Sequence, residues 1–201
     1  MKCTARAIKR IVDILGSAVL LVLLAPLIGF CALLIKLQDG GAAFYRRRVV
    51  GAHGEFDAFK LRTMCPQADA ILEQNLSLRR EFDLNSKLRN DPRITPLGAW
   101  LRKLSLDECP QLWNVLRGEM RLVGPRMITA EELKRYGEAG WIFRTTKPGI
   151  TGLWQVRGRQ EVGFEQRIQM DLFYTQNWSL RLDCKILLQT PLAVVRGVGA
   201  Y

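Results

Sequence analysis

The sequence predicts a mainly helical α+β protein. It is monotopic, held in a membrane from one side by an N-terminal re-entrant helix-break-helix hairpin, and carries a small β element. Three observations predict this. Residues Ile14 to Ile35 form an uncharged run between Lys2, Arg6, Lys9 and Arg10 on one side and Lys36 on the other, with Ala25-Pro26 in its middle. Apolar residues then recur at helical spacing over 67–87, 97–104, 105–117, 164–178 and 180–195. Between 43 and 64 the period shortens to two, around a turn at Gly51-Ala52-His53-Gly54.

The apolar run is long enough to span a bilayer as a helix of roughly 20 residues. A cleaved signal peptide is disfavoured: the run is long for its core, and no convincing small-x-small site with a mature start follows. A straight span would put the basic N-terminus and the equally basic remainder on opposite sides, against the positive-inside tendency. A hairpin turning at Ala25-Pro26 keeps both ends in the cytoplasm, with Arg46-Arg47-Arg48 on the same anionic surface as Lys2 to Arg10. A simple kinked span is the other reading. Residues 1–39 are thus a membrane-inserted re-entrant unit, and 40–201 a cytoplasmic domain with membrane-surface helices.

The whole chain has 201 residues, 30 Lys and Arg against 19 Asp and Glu, and a net charge of +11. That balance asks for an anionic partner: nucleic acid, an anionic membrane surface or phosphorylated substrates. Cys3, Cys31, Cys65, Cys109 and Cys184 are scattered without a CxxC pair, and His53 is the one imidazole. A disulfide framework and a zinc site are disfavoured, and a reducing compartment fits.

After the turn at Asp39-Gly40-Gly41, short strands flank the arginine cluster, and Phe56, Ala58 and Lys60 alternate with Asp57, Phe59 and Leu61. Lys60 and Arg62 share one face. They read as phosphate ligands or as solvated charges on an edge strand. Residues 67–87 read as one amphipathic helix, and Thr95-Pro96 as the start of a short helix carrying Trp100 inward. Arg102 and Lys103 then stand beside two adjacent carboxylates, Asp107 and Glu108, where a helix begins that Gly118 stops.

A helix start lowers a carboxylate pKa and favours bound phosphate, so the pair is the candidate chemical centre. Ser105-x-x-Glu108 also matches a capping box, in which the same glutamate only satisfies backbone donors. Downstream, Glu131 to Tyr136 reads as a short helix. Lys147-Pro148-Gly149-Ile150-Thr151-Gly152 is a glycine-containing loop that lets backbone approach a ligand, with Arg157 and Arg159 as nucleotide or sugar-phosphate contacts. Trp141, Phe143 and Trp154 are core aromatics or candidates for the membrane interface or a base. Leu180 to Val195 is a final amphipathic helix, interrupted by Pro191.

In order, the N-terminal basic hydrophobic hairpin, Phe59-Lys60-Leu61-Arg62-Thr63-Met64, Leu88-Arg89-Asn90-Asp91-Pro92-Arg93-Ile94-Thr95, Leu101 to Glu108, Val123-Gly124-Pro125-Arg126 and Lys147 to Arg159 resemble the bacterial sugar transferases. These are the monotopic polyprenyl-phosphate phosphoglycosyl transferases, and the chain is similar to their minimal catalytic core. Cys109, Met127, Leu61 and Ala25 depart from the residues usual in that family. None of the four removes a charge. Ala25 stands where the family hairpin has a serine whose hydroxyl helps bend the helix.

The resemblance implies an enzyme at the cytoplasmic face of a bacterial inner membrane that starts a lipid-linked glycan of the exopolysaccharide or O-antigen kind. Asp107 attacks the sugar-bearing phosphate of a UDP-sugar, UMP leaves, and polyprenyl phosphate takes the phosphosugar from the carboxylate. Mg²⁺, held by Glu108 and Asp107 with substrate oxygens, neutralises charge, while Arg102 and Arg126 fork phosphate oxygens. The partners implied are UDP-sugar, polyprenyl phosphate and the bilayer, with no nucleic acid; a homo-oligomer is compatible. A membrane-anchored basic module binding anionic lipid or nucleic acid is the non-enzymatic alternative. A metal-dependent phosphohydrolase would use the same pair without needing the hairpin.

Overall fold

The computed structural model describes residues 2–85, 88, 90–158 and 162–196. Helix α1 (Lys2–Asp39) takes in the whole N-terminal stretch with Pro26 inside it. The break expected at Ala25-Pro26 is therefore not an interruption of helical backbone. Proline's fixed φ is itself helical, and what its ring removes is one backbone hydrogen bond. Among the described residues α1 is the one helix long and apolar enough to cross a membrane.

Both halves of α1 lie against the rest of the chain. Lys9, Asp13 and Ser17 are buried in the first half, Cys31 and Ile35 in the second. Leu21 and Leu24 pack on the central core of Val49, Ala58, Leu112, Val115 and Leu122, while Cys31 and Ile35 pack with Leu61 and Leu101. The other face, with Leu15, Val22, Leu23 and Phe30, is exposed.

Strands β1 (Phe44–Gly51) and β2 (Gly54–Leu61) form the expected antiparallel hairpin, closing at the Gly51–Gly54 pair. Gly54 has φ +112°, which a side chain would strain. The two-residue period buries Phe56 and Ala58, and Lys60 continues that inner face.

The single helix expected over 67–87 is instead two, α2 (Ala68–Gln74) and α3 (Leu76–Asn85). Asn75 has extended backbone between them, and its side-chain oxygen accepts the amides of Ser77 and Leu78, as a cap does. Helix α4 (Pro96–Lys103) starts as predicted, with the Thr95 hydroxyl accepting from Gly98 N. Trp100 points outward at 47 % exposure; Gly98 and Leu101 make the inner face in its place.

A 3-10 turn (Leu106–Gln111) leads into α5 (Leu112–Arg117), which Gly118 ends in the left-handed region at φ 80°. Strand β3 (Arg121–Val123) then pairs in parallel with β4 (Gly149–Thr151), with α6 (Ala130–Tyr136) and α7 (Ile142–Thr145) between them. Helices α8 (Leu153–Arg157), α9 (Phe164–Gln176) and α10 (Leu180–Arg196) complete the domain. Helix α10 runs through Pro191 without the expected interruption.

Candidate active site

Asp107 and Glu108 sit in the 3-10 turn, before regular helix begins at Leu112. Ser105 is left-handed at φ 56° and Pro110 lies within the turn, so the backbone there cannot take α-helical form from residue 105 onward. No side-chain hydrogen bond caps this turn. The capping box expected from Ser105-x-x-Glu108 is not made, because Glu108 turns to Lys60 instead. Lys60 Nζ donates to Glu108 Oε1 at 2.7 Å and lies 3.6 Å from Asp107 Oδ2.

The position of Lys60 follows from β2, and that of β2 from a clamp. Asn114 of α5 accepts the amide of Phe59 (3.0 Å) and donates to the carbonyl of Asp57 (2.8 Å) and to Glu119 (2.7 Å). Asn114 is fully buried. The helix that follows the acidic pair is thus stitched to the strand that brings its cation.

Burial and charge push the two carboxyls apart. Burial raises the Asp107 pKa against the pull of Lys60 and Arg102, and the negative charge of Glu108 adds to the rise. Burial also opposes ionisation of Glu108, but Lys60, Arg126 and Arg47 outweigh it and hold its carboxyl well below the ordinary value. The two therefore titrate as a pair in which Glu108 loses its proton first.

The predicted phosphate ligands separate into groups. Lys60, Arg102 and Arg126 share the field of the pair: Arg102 acts on Asp107 and Arg126 on Glu108. Arg102 Nε also donates to Thr63 Oγ1 at 2.9 Å. Arg62 is drawn off, pairing with Asp39 and donating to the carbonyls of Ala42 and Met64. Arg157 is exposed at the end of α8, and Arg159 lies outside the described residues.

Arg126 is placed by the two motifs that flanked it in the sequence reading. The glycine loop and the Gly124-Pro125-Arg126 turn pack backbone on backbone: Gly149 N donates to Pro125 O and Gly124 N to Thr151 O. A Cβ on Gly149 would stand 2.1 Å from Gly124 N, so the close approach requires glycine. The Arg126 guanidinium lies over the buried Trp154 ring, 4.8 Å from its centre. This settles Trp154 as a core aromatic; Phe143 is buried as well, while Trp141 is exposed.

Helix α9 grips the same turn from behind. The Tyr174 hydroxyl, which donates to Asp183 Oδ1 at 2.7 Å, lies 3.0 Å from the carbonyl oxygen of Val123, and Asp171 accepts the amide of Arg126 (3.4 Å) and the hydroxyl of Tyr136 (3.0 Å). The helical spacing over 164–178 locates this helix, but sequence reasoning gave Asp171 and Tyr174 no role. It also missed Asn114 and Arg47. The signal available was a buried polar residue on an otherwise apolar helical face, which one sequence does not separate from an exposed one.

Two adjacent hard carboxylates fit a Mg²⁺ ion that completes its shell with substrate oxygens and water. Among the described residues no group of three or more acidic, Cys or His side chains gathers to cage a metal by itself. The donor set therefore fits an ion that arrives with an anionic ligand.

Residues 4–197 match the family model described as bacterial sugar transferase. The chain is 44 % identical over 198 residues to the exopolysaccharide production protein ExoY of Rhizobium meliloti, covering 96 % of this chain and 88 % of that protein. It is 42 % identical over 205 residues to the undecaprenyl-phosphate galactose phosphotransferase of Salmonella typhimurium, matching 100 % of this chain but spanning 43 % of that protein's length. With the UDP-glucose:undecaprenyl-phosphate glucose-1-phosphate transferase of Caulobacter vibrioides it shares 40 % identity over 204 residues, 96 % of this chain and 72 % of that protein. With the model match and these relatives in agreement, the chain belongs to the bacterial sugar transferase family.

Proposed function

We propose that this chain transfers a phosphosugar from a UDP-sugar to polyprenyl (undecaprenyl) phosphate, releasing UMP, as the first membrane step of exopolysaccharide or glycoconjugate synthesis. The names of its relatives support the sugar-phosphate and lipid-carrier chemistry. The observation that carries the reading is the placement of Asp107: buried, 3.6 Å from Lys60, and in the field of Arg102. A pure anion-binding surface gains nothing from carboxylates set among its cations.

In the first displacement an Asp107 carboxylate oxygen bonds to the sugar-bearing phosphorus. The bond from that phosphorus to the bridging oxygen breaks, and UMP leaves with the electron pair. In the second, an oxygen of polyprenyl phosphate attacks the same phosphorus and frees the carboxylate. Lys60 holds Glu108 ionised and beside Asp107, and Arg102 and Arg126 bind the phosphate oxygens on either side. Mg²⁺ bound by Glu108 and Asp107 would supply further charge neutralisation on the phosphates.

The membrane arrangement we propose is re-entrant insertion of α1 from the cytoplasmic face of a bacterial inner membrane. Packing of both halves of α1 on one domain supports it, because a helix crossing the bilayer would carry one end away. The test of the chemistry is UMP release from a panel of UDP-sugars by detergent-purified protein with Mg²⁺, with and without undecaprenyl phosphate. Sustained release that needs the lipid phosphate and disappears in Asp107→Asn is the expected result. Binding of anionic lipid with no release from any sugar would overturn the reading in favour of an anchored binding module.

A further inference from the structure

Three basic side chains from distant parts of the chain meet at the C-terminal end of α5. They are Arg10 of α1, Arg121 at the start of β3, and Lys147 in the loop before β4. The β3–β4 pairing sets the last two side by side, since Arg121 N donates to Pro148 O at 2.8 Å. Gly118 marks the convergence of the other pair. A Cβ added there would lie 3.3 Å from Arg10 Nη2 and 3.9 Å from Lys147 Nζ.

The cations present exceed what the fold uses. Arg10 caps α5, donating to the carbonyls of Val115 and Leu116 at 2.7 and 2.9 Å. The neighbouring Lys9 is matched by Asp183 at 2.6 Å, and Arg117 by Glu119 at 3.0 Å. Among the described residues no carboxylate lies within ion-pairing distance of Arg121 or Lys147, and neither side chain has a hydrogen-bond partner. A single acid faces the three cations from beyond ion-pairing distance: buried Asp13, whose Oδ1 accepts the amide of Leu122 (3.1 Å) and whose Oδ2 has no hydrogen-bond partner. Burial, followed by the charges of Arg121 and Arg10, holds the Lys147 ammonium below its ordinary value. An anion is what this arrangement lacks.

Its position in the fold names the anion. Arg10 is the last cation before the stretch that carries no further Lys or Arg until Lys36. The cluster therefore lies at the polar end of the apolar stretch of α1, which on the membrane-inserted reading stands at the depth of lipid phosphates. We propose that Arg10, Arg121 and Lys147 bind the phosphate of an anionic phospholipid headgroup, apart from the Asp107 centre. This rests on the reading of α1 as membrane-inserted.

The experiment is thermal unfolding of the full chain in neutral detergent, titrated with short-chain phosphatidylglycerol, phosphatidylcholine or undecaprenyl phosphate. Wild type, Lys147→Gln, Arg121→Gln and the exposed-site control Arg79→Gln are compared. Phosphatidylglycerol stabilises wild type and the control, and each cluster substitution weakens half-saturation about five-fold, the ratio expected for one basic residue at a lipid surface. Without lipid, Lys147→Gln melts no lower than wild type, since it removes repulsion and no hydrogen bond. Equal stabilisation by phosphatidylcholine, or unchanged titrations in both variants, overturns the site. Stabilisation by undecaprenyl phosphate alone overturns the phospholipid assignment. Release of wild type from membranes by alkaline carbonate would overturn the membrane reading itself, and the proposal with it.

Discussion

Lys60 gives its short hydrogen bond to Glu108, at 2.7 Å, and faces Asp107 from 3.6 Å. The cation thus fixes one carboxylate and gives the other no hydrogen bond. Because Lys60 is the leading charge that offsets the burial of Asp107, Lys60→Gln raises the Asp107 pKa further. The acid limb of kcat/KM, where Asp107 loses its proton, then moves to higher pH, and the rate falls about 100-fold as for loss of one preorganised charge. A pH profile of UMP release checks this. A rate loss with the acid limb unmoved would mean that Lys60 acts on the substrate alone.

Asp171 links stability to pH with a definite sign. Burial raises its pKa from 3.8 to about 7, against the Tyr136 hydroxyl and Arg167, which pull it down. A raised folded pKa means that the proton favours the fold: the contribution is whole below about pH 4 and is lost as pH rises through 7. Asp171→Asn keeps an acceptor for Tyr136 and carries no charge. Its stability relative to wild type should therefore climb between pH 4 and 7, at roughly 1.4 kcal/mol per pH unit at most, and then level off, as melting curves across that range would show. A difference constant across that range would show that Asp171 does not titrate there.

How far the chain could be read in advance depended on whether a residue's partner lay nearby in sequence. The β hairpin, the Thr95 cap and the Gly118 stop rest on local chemistry, and all three are present. Asp107, Glu108, Lys60 and Arg126 stand in ordered motifs, and the structure brings the four together. Arg62 lies one residue past the end of β2, and its partner Asp39, at the end of α1, is too far away in sequence to be foreseen. Asn114, Asp171 and Tyr174 were invisible as site residues, since their roles exist only once α5 meets β2 and α9 meets β3. The split of 67–87 was missed because Asn75 suits a helix surface and a cap equally well.

The glycine loop yields a prediction with an internal control. A Cβ at Gly149 would stand 2.1 Å from Gly124 N and 2.5 Å from Thr151 O, both backbone atoms that cannot swing aside. At Gly163 nothing lies within 4 Å. Gly149→Ala should lower stability by about 3 kcal/mol or more and displace Arg126, with UMP release falling further than the folded fraction. Gly163→Ala should stay within about 0.5 kcal/mol of wild type. Near-normal release from Gly149→Ala would mean that the Arg126 turn tolerates another geometry.

A buried ion pair, Lys9 with Asp183 at 2.6 Å, ties α1 to α10. Lys9 also donates to the carbonyl of Val123, while Tyr174 and Trp178 donate to Asp183. Burying two charges is costly, so the pair itself need not stabilise; what destabilises is leaving one charge alone. Lys9→Met should therefore cost about 3–5 kcal/mol, because Asp183 keeps its charge without its cation. The double variant Lys9→Met with Asp183→Asn should recover a large part of that loss, since no lone buried charge remains. Chemical denaturation in detergent measures Lys9→Met, Asp183→Asn and the double variant against wild type. Additive losses in the double variant would show that the two groups act independently, and that α1 is held by its apolar contacts rather than by this pair.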